Sequence, residues 1–127
     1  MKIDHIGIAV KSMKESGKLY EDLGVEMEHT EVLDGMKIGF YPFGESTIEL
    51  LEPVDTSSAI GKFIEKKGEG IHHIAINVPD VAKKLKELEE KGYVLIDKVP
   101  RMGAHGKKIA FIHPKSTNGV LLEICEG

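Results

Sequence analysis

One cysteine in 127 residues is the first scarcity of this sequence, and it removes any intrachain disulfide from consideration. Long hydrophobic runs are missing too. No apolar stretch approaches the roughly 20 residues needed to cross a bilayer, and the N-terminus lacks the basic start and uninterrupted apolar run of a secretory signal. Nor is there an excess of one charge. Seventeen Lys and Arg stand against 21 Asp and Glu, a formal charge of −4, and the lysines are interleaved with glutamates as on a solvated surface. That balance excludes a general attraction for nucleic acid. No segment is of low complexity. A cytoplasmic protein is expected, with neither nucleic acid nor membrane among its partners. At 41% apolar and 30% charged residues the chain has a globular composition and is long enough to bury a core as one domain, 1–127.

What the sequence does contain is a repeat. Ile3-Asp4-His5-Ile6-Gly7-Ile8-Ala9-Val10 returns as Ile71-His72-His73-Ile74-Ala75-Ile76-Asn77-Val78, and Gly24 returns as Gly92, both 68 residues later. Ile48-Glu49-Leu50 returns as Leu122-Glu123-Ile124 at 74 residues, so the second half holds about six extra residues before its last strand. Each half therefore supplies one histidine and one glutamate. Two imidazoles and two carboxylates are a recurrent donor set for a divalent metal.

The local patterns repeat in the same order. Residues 2–10 alternate and are rich in Ile and Val, as a strand requires. Ser12-Met13-Lys14-Glu15 follows as a capping box opening a helix, with Met13, Leu19, Tyr20 and Leu23 as its apolar stripe and Gly24 as its stop. Strands are expected near 25–33, 36–43 and 46–52, with Asp34-Gly35 as a hairpin turn. A short helix from Ser57-Ser58, with Ile60, Phe63 and Ile64 on one side, leads to a hinge at Gly68-Glu69-Gly70. The second half follows with a strand at 71–78, a helix start at Pro79-Asp80, core residues Val81, Leu85 and Leu88, a stop at Gly92, and strands near 93–99, 107–113 and 118–125. The expected fold is α+β: two tandem βαβββ modules, about 1–67 and 68–127, in a mixed sheet curved around a metal cleft.

Strand alternation gives the four polar residues a common direction. His5 shares a face with Ile3, Gly7 and Ala9, His73 lies with Ala75 and Asn77, and Glu49 and Glu123 each lie opposite their flanking aliphatic neighbours. All four point away from the helices, beside small residues that leave space. A metal held by His5, Glu49, His73 and Glu123 in six-fold geometry keeps two positions open. Taken singly, each histidine reads better as a hydrogen-bonded sheet residue and each glutamate as solvent-facing. Symmetric placement of all four reverses that weighting, because isolated buried carboxylates are costly without a partner.

These residues resemble the vicinal oxygen chelate superfamily, which includes glyoxalase I, and within it the methylmalonyl-CoA epimerase family. The resemblance covers the whole chain. Its carriers are Ile3-Asp4-His5-Ile6-Gly7-Ile8-Ala9, Ile48-Glu49-Leu50-Leu51-Glu52-Pro53, Gly68-Glu69-Gly70-Ile71-His72-His73-Ile74-Ala75, and Phe111-Ile112-His113-Pro114-Lys115-Ser116 leading to Gly119-Val120-Leu121-Leu122-Glu123. The resemblance implies metal ligands at His5, Glu49, His73 and Glu123, an acyl-CoA substrate, and interconversion of C2 epimers through a metal-stabilised thioester enolate. Cobalt is placed first among the metals, with manganese, nickel, zinc and iron also compatible with such donors.

Epimerisation needs a proton-transfer group on each side of a planar intermediate. Some epimerases carry a glutamate on the strand after the first hairpin turn, whereas the matching stretch here, Gly35-Met36-Lys37-Ile38-Gly39, has no carboxylate. Glu123 is accordingly assigned as one base and Glu49 as the other. Gly103-Ala104-His105-Gly106-Lys107 is weighed as a substrate-covering loop against a simple turn, and Lys107, Lys108 and Lys115 as contacts for CoA phosphates against solvated lysines. His72 and Cys125 are read as structural. A homodimer is expected from exposed sheet edges. The competing functions are a glyoxalase I-type lactoylglutathione lyase with the same ligands, and a non-catalytic small-molecule binding protein of the same fold.

Overall fold

In the computed structural model of the chain, which describes residues 1–127, the sequence patterns become eight strands and three α-helices. The first module comprises β1 (Lys2–Ala9), α1 (Met13–Asp22), β2 (Thr30–Leu33), β3 (Met36–Phe43) and β4 (Ser46–Pro53), followed by the connecting helix α2 (Ala59–Lys67). The second repeats the order with β5 (Gly70–Asn77), α3 (Val81–Glu90), β6 (Arg101–Met102), β7 (Lys108–Ile112) and β8 (Leu122–Cys125). Short 3₁₀ turns occupy Ala104–Gly106 and Pro114–Ser116. No helix is long and apolar enough to cross a membrane.

The chain packs as two compact units, His5–His72 and, together with Met1–Asp4, His73–Gly127. In the first, the strands lie in the order β2-β3-β4-β1, with β4 antiparallel to β3 and parallel to β1. In the second they lie in the order β5-β8-β7-β6, with β8 parallel to β5 and antiparallel to β7. A parallel pairing of first and fourth strands needs a crossover connection, and the helix of each module belongs to that crossover.

Helix starts follow the expected chemistry. Ser12 accepts the N–H of Glu15 at 3.2 Å, and Asp80 accepts that of Lys83 at 3.1 Å. Gly24 (φ +95°) and Gly92 (φ +89°) take the left-handed conformation just past the two caps. In the first unit Val10, Met13, Tyr41 and Leu50 form a buried cluster with Ile8, Tyr20, Val25 and Ile48 around it. In the second, Val78, Val81, Leu85, Ala110, Ile112 and Ile124 do so with Ile76, Leu88, Leu95 and Leu122. Val10/Val78, Met13/Val81 and Leu50/Ile124 are equivalent positions of the repeat, so the cores are repeated along with the strands.

Three expectations need correction. Leu19 and Leu23 are 62% and 66% exposed, and the inward positions of α1 are Met13, Gly17 and Tyr20 instead. The strand expected over 25–33 exists only at Thr30–Leu33, and the strand expected over 93–99 does not form. Both failures have one cause. Glu28 donates its N–H to the Phe40 carbonyl while Phe40 donates its own to the carbonyl of His29, so two residues oppose one. Ile96 and Asp97 likewise both donate to the Phe111 carbonyl. Each is a β-bulge, which interrupts regular pairing and re-aims the side chains at it.

Candidate functional site

Each unit carries one buried histidine–glutamate pair. In His5–His72, β1 presents His5 and β4 presents Glu49, with Gly7 directly across from Glu49 in the parallel register. His5 Nδ1 lies 3.3 Å from Glu49 Oε2, and the residues are only 7% and 6% exposed. In the second unit β5 presents His73 and β8 presents Glu123, with Ala75 directly across from it. His73 Nε2 lies 3.5 Å from Glu123 Oε1, at 5% and 4% exposure. The small residues opposite each carboxylate leave it room, and burial of an ionisable pair in each half makes a solvent-facing role for the glutamates untenable.

The donor sets fit a divalent cation. Charge-assisted N–H···O⁻ bonds normally close to about 2.7–2.9 Å, shorter than either separation. Ligand atoms bonded to a common ion at about 2.1 Å sit about 3.0 Å apart in octahedral and about 3.4 Å apart in tetrahedral geometry. Both separations are compatible with two donor atoms that share one ion. Imidazole with carboxylate is borderline in softness, compatible with several first-row divalent metals.

Around each pair the repeat contains a residue type that sequence inspection overlooked. Phe40 lies directly across from Glu49 and Phe111 directly across from Glu123, both on the face that carries the glutamate. Lys37-Ile38-Gly39-Phe40 returning as Lys108-Ile109-Ala110-Phe111, at 71 residues, was the available signal. This offset lies midway between the other two, so the extra residues of the second module divide between the segments before and after β7. His73 meets the Phe111 ring edge-on, with centroids 5.8 Å apart. Arg101 sits over the same ring at 5.0 Å, its Nε 3.3 Å from Asp97, which also accepts the Phe111 N–H at 2.8 Å. In the first module His29 stacks on Phe40 with centroids 4.5 Å apart and planes 14° apart.

The other sequence candidates fall outside these pairs. His72 packs edge-on against Phe63 of α2, at 5.0 Å, and burial lowers its pKa, as fits a structural histidine. His105 is exposed on the turn before β7 at φ +61°, and Lys107 reaches Asp4 at 3.7 Å. Lys115 is exposed on the Pro114–Ser116 turn, where its N–H donates to His113 Nδ1 at 3.0 Å. Burial, then Asp4 and Glu123, push the Cys125 thiol up to about 12, so it stays protonated and unreactive near neutral pH.

Tandem βαβββ modules, each with a buried His–Glu pair, define a protein of the vicinal oxygen chelate fold. The chain belongs to the glyoxalase/bleomycin resistance protein/dioxygenase superfamily, whose family model matches residues 4–111. It is 45% identical to the uncharacterized protein YqjC of Bacillus subtilis, over 98% of this chain and 91% of that one. It is 38% identical to the mitochondrial methylmalonyl-CoA epimerase of Dictyostelium discoideum, over 98% of this chain and 78% of the other. Among solved structures, a variant of Streptomyces coelicolor methylmalonyl-CoA epimerase in complex with 2-nitronate-propionyl-CoA superposes with a TM-score of 0.94 at 37% identity, over 100% of this chain and 94% of that chain.

Proposed function

We propose that this chain is a metal-dependent methylmalonyl-CoA epimerase, interconverting the (R) and (S) configurations at C2. The observation that carries this reading is likeness along the whole chain to epimerases, one of them solved with an acyl-CoA ligand, combined with an intact His–Glu pair in each module. A binding protein of this fold has no need of two buried carboxylates.

In this reading His5, Glu49, His73 and Glu123 hold one divalent cation, with cobalt the first candidate. The cation, when bound, supplies Lewis-acid polarisation of the thioester carbonyl. The remaining chemistry belongs to the protein. Glu123 takes the C2 proton as the C–H electron pair moves into the thioester to give an enolate, and returns a proton to the same carbon in the reverse direction. Glu49 is the second base; like Glu123 it is a ligand in this reading, and each serves as a base only by shifting off the cation. Phe40 and Phe111, across from the two carboxylates, exclude water and strengthen charge interactions at the site. His105, Lys107 and Lys115 are our candidates for contacts with the CoA moiety. We take the working particle to be a cytoplasmic homodimer, on the strength of its exposed strand edges and its single, buried thiol.

Proton NMR of methylmalonyl-CoA in deuterated water tests the reading. Loss of the C2 proton signal with the cobalt-loaded protein, and not with the metal-free protein, is the expected result. Glu123→Gln should lower that exchange by about 100-fold or more, whereas Lys115→Ala should act mainly on KM. Absence of exchange with metal bound would eliminate the epimerase and direct the assay to the glutathione hemithioacetal of methylglyoxal.

A further inference from the structure

The unit that holds His73–Gly127 carries a row of side chains on a single face of its strands. Glu123 of β8 is the direct partner of Phe111 of β7. Arg101 of β6 is the direct partner of Ile109, which alternation places on the Phe111 face. His73 and Arg101 therefore touch the same ring, the first edge-on and the second over its face. A structural arginine–carboxylate pair normally closes through the planar fork at about 2.7–2.9 Å. Here Arg101 meets Asp97 through Nε alone, at 3.3 Å, and the same aspartate oxygen takes the Phe111 N–H at 2.8 Å. The guanidinium is thus oriented by Asp97 and by the ring while Nη1 and Nη2 have no partner in the chain, on a side chain that is 50% exposed. The first module shows that packing does not demand a cation at this position. Ile38, the repeat position of Ile109, has Glu31 as its direct partner, so a carboxylate stands there instead.

We propose that the Nη1/Nη2 fork of Arg101 binds the carboxylate that the acyl group carries at C2, and so selects malonyl-type thioesters over simple acyl thioesters. The assignment rests on the epimerase reading above. Across the strands, Glu123 and Arg101 are two spacings of about 4.8 Å apart, and along them two residues; the arginine makes up part of that offset by leaning over Phe111. A carboxylate one bond from the carbon that Glu123 reaches at about 3 Å lies within this span. The CoA phosphates lie a whole pantetheine arm further off. A guanidinium matches a carboxylate with two parallel N–H···O bonds, which an ammonium cannot form. The contact also bears on the chemistry: an ionised carboxylate opposes negative charge on the adjacent carbon, and a cation fixed beside it offsets that repulsion as the enolate develops. Asp97 is the positioning residue for this contact, acting through Nε.

Calorimetric binding to the metal-loaded full chain tests the assignment by comparing methylmalonyl-CoA, as its equilibrated epimer mixture, with propionyl-CoA, which differs only in lacking the C2 carboxylate. The unaltered chain should bind methylmalonyl-CoA the more tightly. Arg101→Gln should weaken methylmalonyl-CoA about 10- to 100-fold and leave propionyl-CoA unchanged. Arg101→Lys, which keeps the charge without the fork, should recover only part of that loss. Asp97→Asn keeps an acceptor for the Phe111 N–H and should lower the preference for methylmalonyl-CoA about 3-fold, again without moving propionyl-CoA, a split that a merely structural aspartate would not produce. Equal weakening of both thioesters in Arg101→Gln would place the contact at the CoA phosphates and overturn the assignment. A preference for methylmalonyl-CoA that survives undiminished in Arg101→Gln would overturn it too, as would the absence of any preference in the unaltered chain. Exchange of the C2 proton is scored separately. A chain that shows the Arg101-dependent preference without exchange would refute the epimerase reading and keep the carboxylate site.

Discussion

Tyr41 reaches the inner side of α1 at the one helical position without a side chain. A Cβ built on Gly17 would overlap the Tyr41 hydroxyl, and the Tyr41 ring is buried to 2% exposure with few ways to retreat. The close approach explains why the stripe expected from Leu19 and Leu23 faces solvent: the helix is turned so that a glycine, not a leucine, meets the sheet. Alanine at this position would gain about 1 kcal/mol of helix propensity. Overpacking against a fixed aromatic ring costs about 1–3 kcal/mol. Gly17→Ala should therefore destabilise by about 1 kcal/mol in urea unfolding, despite the better helix former. Tyr41→Phe removes the overlapping oxygen, so Gly17→Ala introduced into Tyr41→Phe should be neutral or stabilising, and equal costs in both backgrounds would disprove the steric account. A clash of this kind is invisible in the sequence, where a glycine inside a helix pattern is only a weak spot. The directions of His5, Glu49, His73 and Glu123, by contrast, depend on strand period alone and were readable.

Helix α1 and helix α3 are tied to their sheets by a device that appears twice. Glu52, at the end of β4, accepts the Met13 N–H at 2.9 Å, and Glu126, just past β8, accepts the Val81 N–H at 2.9 Å. Met13 and Val81 are the first residues of their helices, where N–H groups have no intrahelical partner and negative charge is favoured. Glu49 and Glu123 each precede these caps by three residues, and alternation sends residues three apart to opposite faces. One glutamate in each module thus lies beside the buried histidine and the other closes the crossover. Glu126→Ala and Glu52→Ala should each cost about 1–2 kcal/mol, with metal content unchanged. Asp80→Ala should cost about 1 kcal/mol and couple with Glu126→Ala, since both cap α3. Metal loss in the Glu52 or Glu126 variants would break this division of labour. The elements themselves were legible wherever period and capping agreed, as at Ser12, Asp80 and the Asp34-Gly35 turn. They were illegible at 25–29 and 93–99, where alternating apolar residues imitate strands but Val94, Ile96 and Val99 are exposed at 40%, 48% and 72%. A bulge is set by the partner strand, which local alternation cannot reveal.

Across the whole molecule, the donor groups divide evenly: the unit His5–His72 holds one imidazole and one carboxylate, and the other unit holds the same. Two ligands bind a divalent ion weakly, and four bind it far better without any change in ligand type. If one ion takes all four, its binding free energy adds to the stability of the folded chain, by about 4 kcal/mol when free metal is 1,000-fold above Kd. For a domain of this size that corresponds to a Tm rise on the order of 10 °C. A chelator should remove the rise, and cobalt should restore it. His5→Ala and His73→Ala, one in each unit, should each abolish the metal-dependent rise and the bound metal found by elemental analysis, while the cooperative transition of the metal-free chain persists. The pairing of these two variants is what makes the measurement decisive. Were the ion held by one pair alone, substitution in the other would leave the rise in place. A rise surviving in either variant would therefore assign the metal to a single module and remove the reason for the repeat to preserve both histidines.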